Sequence, residues 1–143
     1  MENREHCKEI KEKKMNRQKV FTSFDFDYDA DLKTLLIGQS KLQDSPFEIA
    51  DYSLKEPLTG DWKEKIRGRI KMVDCVIVIC GQHTDTASGV SVELNIAKEE
   101  NKSYFLLAGR KEGLNKKPKS ASSSDGIYKW TWDNLKKLIH GSR

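Results

Sequence analysis

The residue best placed to do chemistry is Glu93. It sits in Gly89-Val90-Ser91-Val92-Glu93-Leu94-Asn95-Ile96-Ala97, twelve residues after the apolar run Val73–Gly81. With Ser91 as N-cap, this segment opens a helix and puts the carboxylate in the first turn. The helix dipole alone favours an acid there by about 0.3–1 kcal/mol. A lone carboxylate is also suited to stabilising an oxocarbenium-like centre, or to holding ribose hydroxyls during N-glycosidic cleavage. His83 could act as a general base, but no Ser or Cys nucleophile with a third orienting group accompanies it, and an ordinary loop histidine is the simpler reading. Phe24, Tyr52 and Trp62 could stack on bases; Trp62, on the apolar side of its helix, fits packing better.

Other constellations exclude more than they offer. Asp25, Asp27, Asp29 and Asp31 alternate along one stretch and could attract a hard cation. They lack the Gly and the terminal Glu of a calcium loop, so a solvated acidic loop is expected. The same four acids would repel phosphate, and Ser23–Asp27 has no glycine, which excludes a P-loop and argues against an FMN phosphate loop. A phosphoreceiver would need an acceptor aspartate where Cys80-Gly81 stands. Cys75 and Cys80 lie five apart on one strand, so they face opposite sides and cannot share a metal. With Cys7 they make no disulfide framework, and no metal site is expected.

These residues need a scaffold, and the hydrophobic pattern supplies one. Strands are expected at Lys19–Phe24, Phe47–Ala50, Cys75–Cys80, Ser103–Leu107 and, briefly, Ile127–Trp130. Asp25–Asp29 reads as a loop and Ala30–Gly38 as a short helix stopped by its glycine. Asp61 should cap a helix through Met72 with Trp62, Ile66 and Ile70 on one side. Val90–Glu100 is the next helix, ended by Asn101, and Thr131 caps Trp132–His140. Between them, the Lys/Ser/Gly-rich segment 110–124 is longer than an ordinary connection, a length that goes with function or mobility. Strands alternating with helices give an α/β fold: a flavodoxin-like three-layer sandwich with a parallel sheet in the order 2-1-3-4-5. Its switch point lies between the first and third strands. The site should therefore be built from the loop after Phe24 and from Gly81–Glu93.

Bulk properties agree with one domain. The chain has 143 residues, 36% hydrophobic and 34% charged, with a net charge of +4. The first nineteen residues carry seven Lys/Arg against four Glu, leaving the remainder almost neutral. Residues 1–18 thus read as a charged, disordered extension and 19–143 as the domain. Nucleic-acid binding is not favoured, because a basic stripe is wanted on the fold itself. No apolar run reaches the roughly 20 residues needed to span a bilayer, and no secretory leader is legible; a cytoplasmic protein is expected.

The motifs, taken in order, resemble a known group. Lys19-Val-Phe-Thr-Ser-Phe24 is similar to the opening strand of TIR domains. Phe47-Glu-Ile-Ala-Asp-Tyr-Ser53 is similar to their second strand running into the BB loop, and Asp74–Cys80 with Thr84–Glu93 to the following strand and glutamate-bearing helix. Ser45–Pro57 and Lys129-Trp-Thr-Trp-Asp-Asn-Leu135 look typical of the bacterial TIR-like family that includes the TIR subunit of Thoeris antiphage systems. The resemblance covers roughly residues 19–140. It implies cleavage of NAD, a substrate and not a cofactor, at the nicotinamide–ribose bond, with Glu93 catalytic. The product would be a cyclic or modified ADP-ribose signal acting on an effector protein. It also implies that Phe24, Asp25, Asp51, Tyr52, Ser53, Gly81, His83 and Thr84 border the substrate, and that the BB-loop region supports self-assembly. The chain departs from the pattern at Ala87-Ser88-Gly89-Val90, where such enzymes often carry a Trp. The alternative is a non-catalytic flavodoxin-like interaction module.

Overall fold

The protein is described here by a computed structural model covering residues 17–50, 61–110 and 114–141. Five strands form one parallel sheet: β1 (Gln18–Ser23), β2 (Phe47–Ile49), β3 (Cys75–Cys80), β4 (Ser103–Ala108) and β5 (Ile127–Tyr128), in the order β2-β1-β3-β4-β5. Four helices connect them: α1 (Phe26–Ser40), α2 (Trp62–Lys71), α3 (Ser88–Glu99) and α4 (Trp132–Ile139). The strand order matches the expectation from sequence.

All six residues of β3 are buried, as a strand covered on both faces requires. Its side chains alternate between two cores. Cys75, Ile77 and Ile79 pack with Leu32 and Leu36 of α1 and Leu135, Leu138 and Ile139 of α4. Val76, Val78 and Cys80 pack with Ile66 and Ile70 of α2 and Val90, Leu94 and Ala97 of α3. Each buried Val, Ile or Leu contributes about 1.5–3 kcal/mol, so β3 anchors both layers at once. The two cysteines do fall on opposite faces.

Several local boundaries differ from expectation. The acidic stretch after β1 is helical, not a loop: α1 begins at Phe26. Asp25 caps it, its Oδ1 accepting from the Asp27 amide at 3.1 Å and its carbonyl from the Asp29 amide at 2.8 Å. Aspartates that suggest a loop by composition are also the residues a helix N-terminus prefers. The helix bends at Asp29 (φ −121°, ψ 16°) and runs through Gly38 to Ser40. Asp61 precedes α2 without a side-chain capping bond. The strands β2 and β5 stop at Ile49 and Tyr128, short of Ala50 and Trp130. Thr131 caps α4 as expected, its Oγ1 accepting from the Asn134 amide at 3.1 Å. Asn101 follows α3 in the left-handed conformation (φ 54°), the stop expected of it.

The start of α3 matters most for chemistry. The helix opens at Ser88, straight out of a 3₁₀ turn at Thr84–Thr86, so Ser91 is not its N-cap and Glu93 lies in the second turn. Ser91 is engaged elsewhere. Its Oγ accepts from the Ser120 amide at 2.9 Å, and its carbonyl accepts from the Ser120 hydroxyl at 2.6 Å. The long segment after β4 is therefore fastened down over its described part. The Lys116 amide donates to the Gly81 carbonyl at 2.9 Å, and Lys98 reaches the Ser120 carbonyl at 2.6 Å. Among the described residues no helix is long and apolar enough to cross a membrane.

Candidate active site

The chain leaves β1 toward one face of the sheet and β3 toward the other, which opens a crevice at their carboxyl ends. Ser23, the last residue of β1, points to the α3 side. It is fully buried, and its hydroxyl donates to Glu93 Oε1 at 2.7 Å. Glu93 itself is half-buried. Because the dipole effect fades beyond the first turn, it does not account for an acid at this position. The contact with β1 does, and it holds the carboxylate at the sheet edge. Sequence reasoning found Glu93 but missed Ser23. The available signal was a hydroxyl at the end of an otherwise apolar, inward-facing strand.

The second wall is the turn after β3. The Gly81 amide donates to Thr84 Oγ1 at 2.7 Å, and Thr84 is fully buried, so its hydroxyl closes the turn. His83 is exposed and stacks on Tyr28 of α1, with ring centroids 3.8 Å apart. That aromatic pair joins the first turn of α1 to the turn after β3. Tyr28 lies in a stretch whose acidic composition suggests a loop, so the sequence alone does not single it out. Phe24 packs on the α1 side, 5.6 Å from the Phe26 ring and 5.1 Å from Lys33 Nζ. Asp25 is buried by its capping role. The structure thus brings Gly81, His83 and Thr84 together on one turn and sets Phe24 and Asp25 at the end of β1. Phe24 faces the layer opposite Glu93. Asp51, Tyr52 and Ser53 lie outside the described residues. Trp62 is core, with its ring edge against Gly89 at the start of α3.

Electrostatics tie the crevice to the segment after β4. Arg110 forks onto Asp31 at 2.9 and 3.0 Å, reaches Asp29 Oδ1 at 3.0 Å, and donates to the Tyr28 carbonyl at 2.8 Å. Asp29 is only 1% exposed, and its carboxylate lies directly against Gly81, where a Cβ would fall 2.6 Å from Oδ1. Burial raises the Asp29 carboxyl above its usual range, and Arg110 offsets part of that rise. The hydrogen bond to Arg110 holds Asp31 below that range. Burial, with Asp29 nearby, pushes the Cys80 thiol up to about 12, so it is not a nucleophile at neutral pH. Among the described residues no group of three or more His, Cys, Asp or Glu could hold a metal ion.

A parallel five-stranded sheet in this order, covered by helices on both faces, defines a flavodoxin-like α/β domain. A prokaryotic SEFIR domain of known crystal structure is similar over 86% of this chain and 88% of that one, with a TM-score of 0.52 and 22% identity, a likeness of fold. The family described as Thoeris protein ThsB, TIR-like domain, matches residues 21–116, and the chain belongs to it. No curated protein matches the sequence.

Proposed function

We propose that the protein cleaves NAD at the nicotinamide–ribose bond and that the resulting ADP-ribose species is a signal in antiphage defence. The observation that carries this reading is the Glu93 carboxylate, held by Ser23 at the carboxyl edge of β1. The C–N bond to nicotinamide breaks with its electron pair leaving on the nicotinamide nitrogen. Nicotinamide departs as a neutral group, so little general-acid help is needed. Positive charge develops on the ribosyl carbon, and the fixed carboxylate stabilises it. Capture by water gives hydrolysis; capture by a nucleophile within the same molecule gives a cyclic product. Family membership supports the same assignment. The product would act on a separate effector protein, and assembly of copies through the 51–60 region would complete the pocket.

The test is nicotinamide release from NAD at high protein concentration, read by liquid chromatography with mass detection. Glu93→Gln is expected to keep the fold and lose about 10²–10³-fold in rate, the loss typical of removing one electrostatic stabiliser. Equal release by the variant removes the mechanism.

A second reading, a non-catalytic interaction module, has its own support. Tyr28, Leu35 and Leu42 are exposed at seven-residue spacing along and just beyond α1. Leu35 borders a cavity of about 900 Å³ shared with Trp130 and Trp132, whose lining does not include Glu93. Absence of nicotinamide release from the wild type would favour this reading.

A further inference from the structure

We propose that Ser23 is a positioning residue that fixes the rotation of the Glu93 carboxylate; this rests on the reading of Glu93 as the catalytic group. Ser23 occupies a site with no exposed surface, at the end of a strand whose neighbours Val20 and Phe21 are core. A hydroxyl there is costly unless it is hydrogen-bonded, and an alanine would fill the core as well. The Glu93 contact explains why a hydroxyl is present. An ionised carboxylate only accepts, so the 2.7 Å bond runs from Ser23 Oγ to Oε1. A short bond to a charged acceptor is among the stronger kinds.

Geometry gives this bond a role beyond anchoring. Glu93 has three side-chain torsions, which a helical backbone does not by itself set. Ser23 is held in the sheet by β3, opposite Val78, at the end of a strand whose first three residues also pair with β2. Tying Oε1 to that strand sets the plane of the carboxylate relative to the sheet edge, where the proposed substrate enters. Rotational freedom of a charge-stabilising group costs rate, because the charge must sit where the cation forms.

The experiment compares NAD turnover by the wild type, Ser23→Ala, Ser23→Thr and Glu93→Gln, with kcat and KM determined separately and thermal melting of each protein alongside. Ser23→Ala is expected to lose about tenfold to a hundredfold in kcat with KM nearly unchanged. Ser23→Thr, which keeps the hydroxyl on a residue suited to strands, should recover most of that loss. If Ser23→Ala does not fold, Ser23→Cys takes its place, with a somewhat larger side chain and a weaker donor. Wild-type kcat in Ser23→Ala beside an inactive Glu93→Gln overturns the positioning role and leaves the NAD reading standing. A change confined to KM, or a threonine variant no better than alanine, overturns it equally. Release that is absent in the wild type, or undiminished in Glu93→Gln, overturns the NAD reading and this proposal with it.

Discussion

Asp29 shows how one side chain links local shape to solution behaviour. Its carboxyl is raised from the ordinary 3.8, burial being the largest cause. A folded-state value above the unfolded one means that stability is fully present below the unfolded value and is lost as pH rises through the folded value. Asp31, held low by Arg110, runs the other way: its contribution is present above the unfolded value and is lost as pH falls. Asp29→Asn removes the first effect and keeps the second. The melting temperature of the variant relative to wild type should therefore be higher at about pH 7 than at about pH 4, and a constant difference would sink the assignment. Residues of this kind were poorly legible in the sequence. Asp29 reads as one of four equivalent loop acids, whereas the fold buries it against Gly81 and leaves Asp27 and Asp31 exposed. Glu93 was legible because its neighbours Val90, Leu94 and Ala97 fixed the inward side of its helix. Ser23 was not, because its partner lies seventy residues away.

Elements were legible where apolar periodicity was strong and misread where capping chemistry decided the boundary. The run Cys75–Cys80 could only be a central strand, and Trp62, Ile66 and Ile70 could only be one buried helix face. The starts of α1 and α3 were misplaced because Asp25 and Ser91 carry side chains suited to more than one job. Asp25 is a cap, whereas Ser91, the residue that looked like a cap, bonds Ser120. Thr131 caps α4, as the sequence predicts. Thr131→Ala should destabilise the protein by about 1 kcal/mol, read as a shift in the denaturant midpoint with unchanged slope. No change in midpoint would mean that α4 is held by packing alone.

At the scale of the molecule, the sheet separates two cores that share β3 but serve different purposes. The α2–α3 layer carries Glu93, while the α1–α4 layer contains Leu135, fully buried, with no part in the candidate site. Leu135→Ala should cost about 2–5 kcal/mol of stability, measured by chemical denaturation. At temperatures where the variant remains folded, NAD turnover per folded molecule should be unchanged; a matching fall in kcat would show that the two layers are coupled. Strand order and layer assignment followed from the βα alternation. The arrangement of the segment after β4 did not, because its polar residues find partners on Gly81, Ser91 and Lys98 that no local pattern announces. The contact of Asp29 with Gly81 and Arg110 has a consequence in heredity. A side chain at position 81 needs the space the Asp29 carboxylate fills, and loss of that carboxylate leaves Arg110 the surface acid Asp31 and the Tyr28 carbonyl. Three positions on three separate elements thus form one unit of change. Relatives should keep all three or replace them together, and a chimera that imports α1 alone would inherit half of a lock.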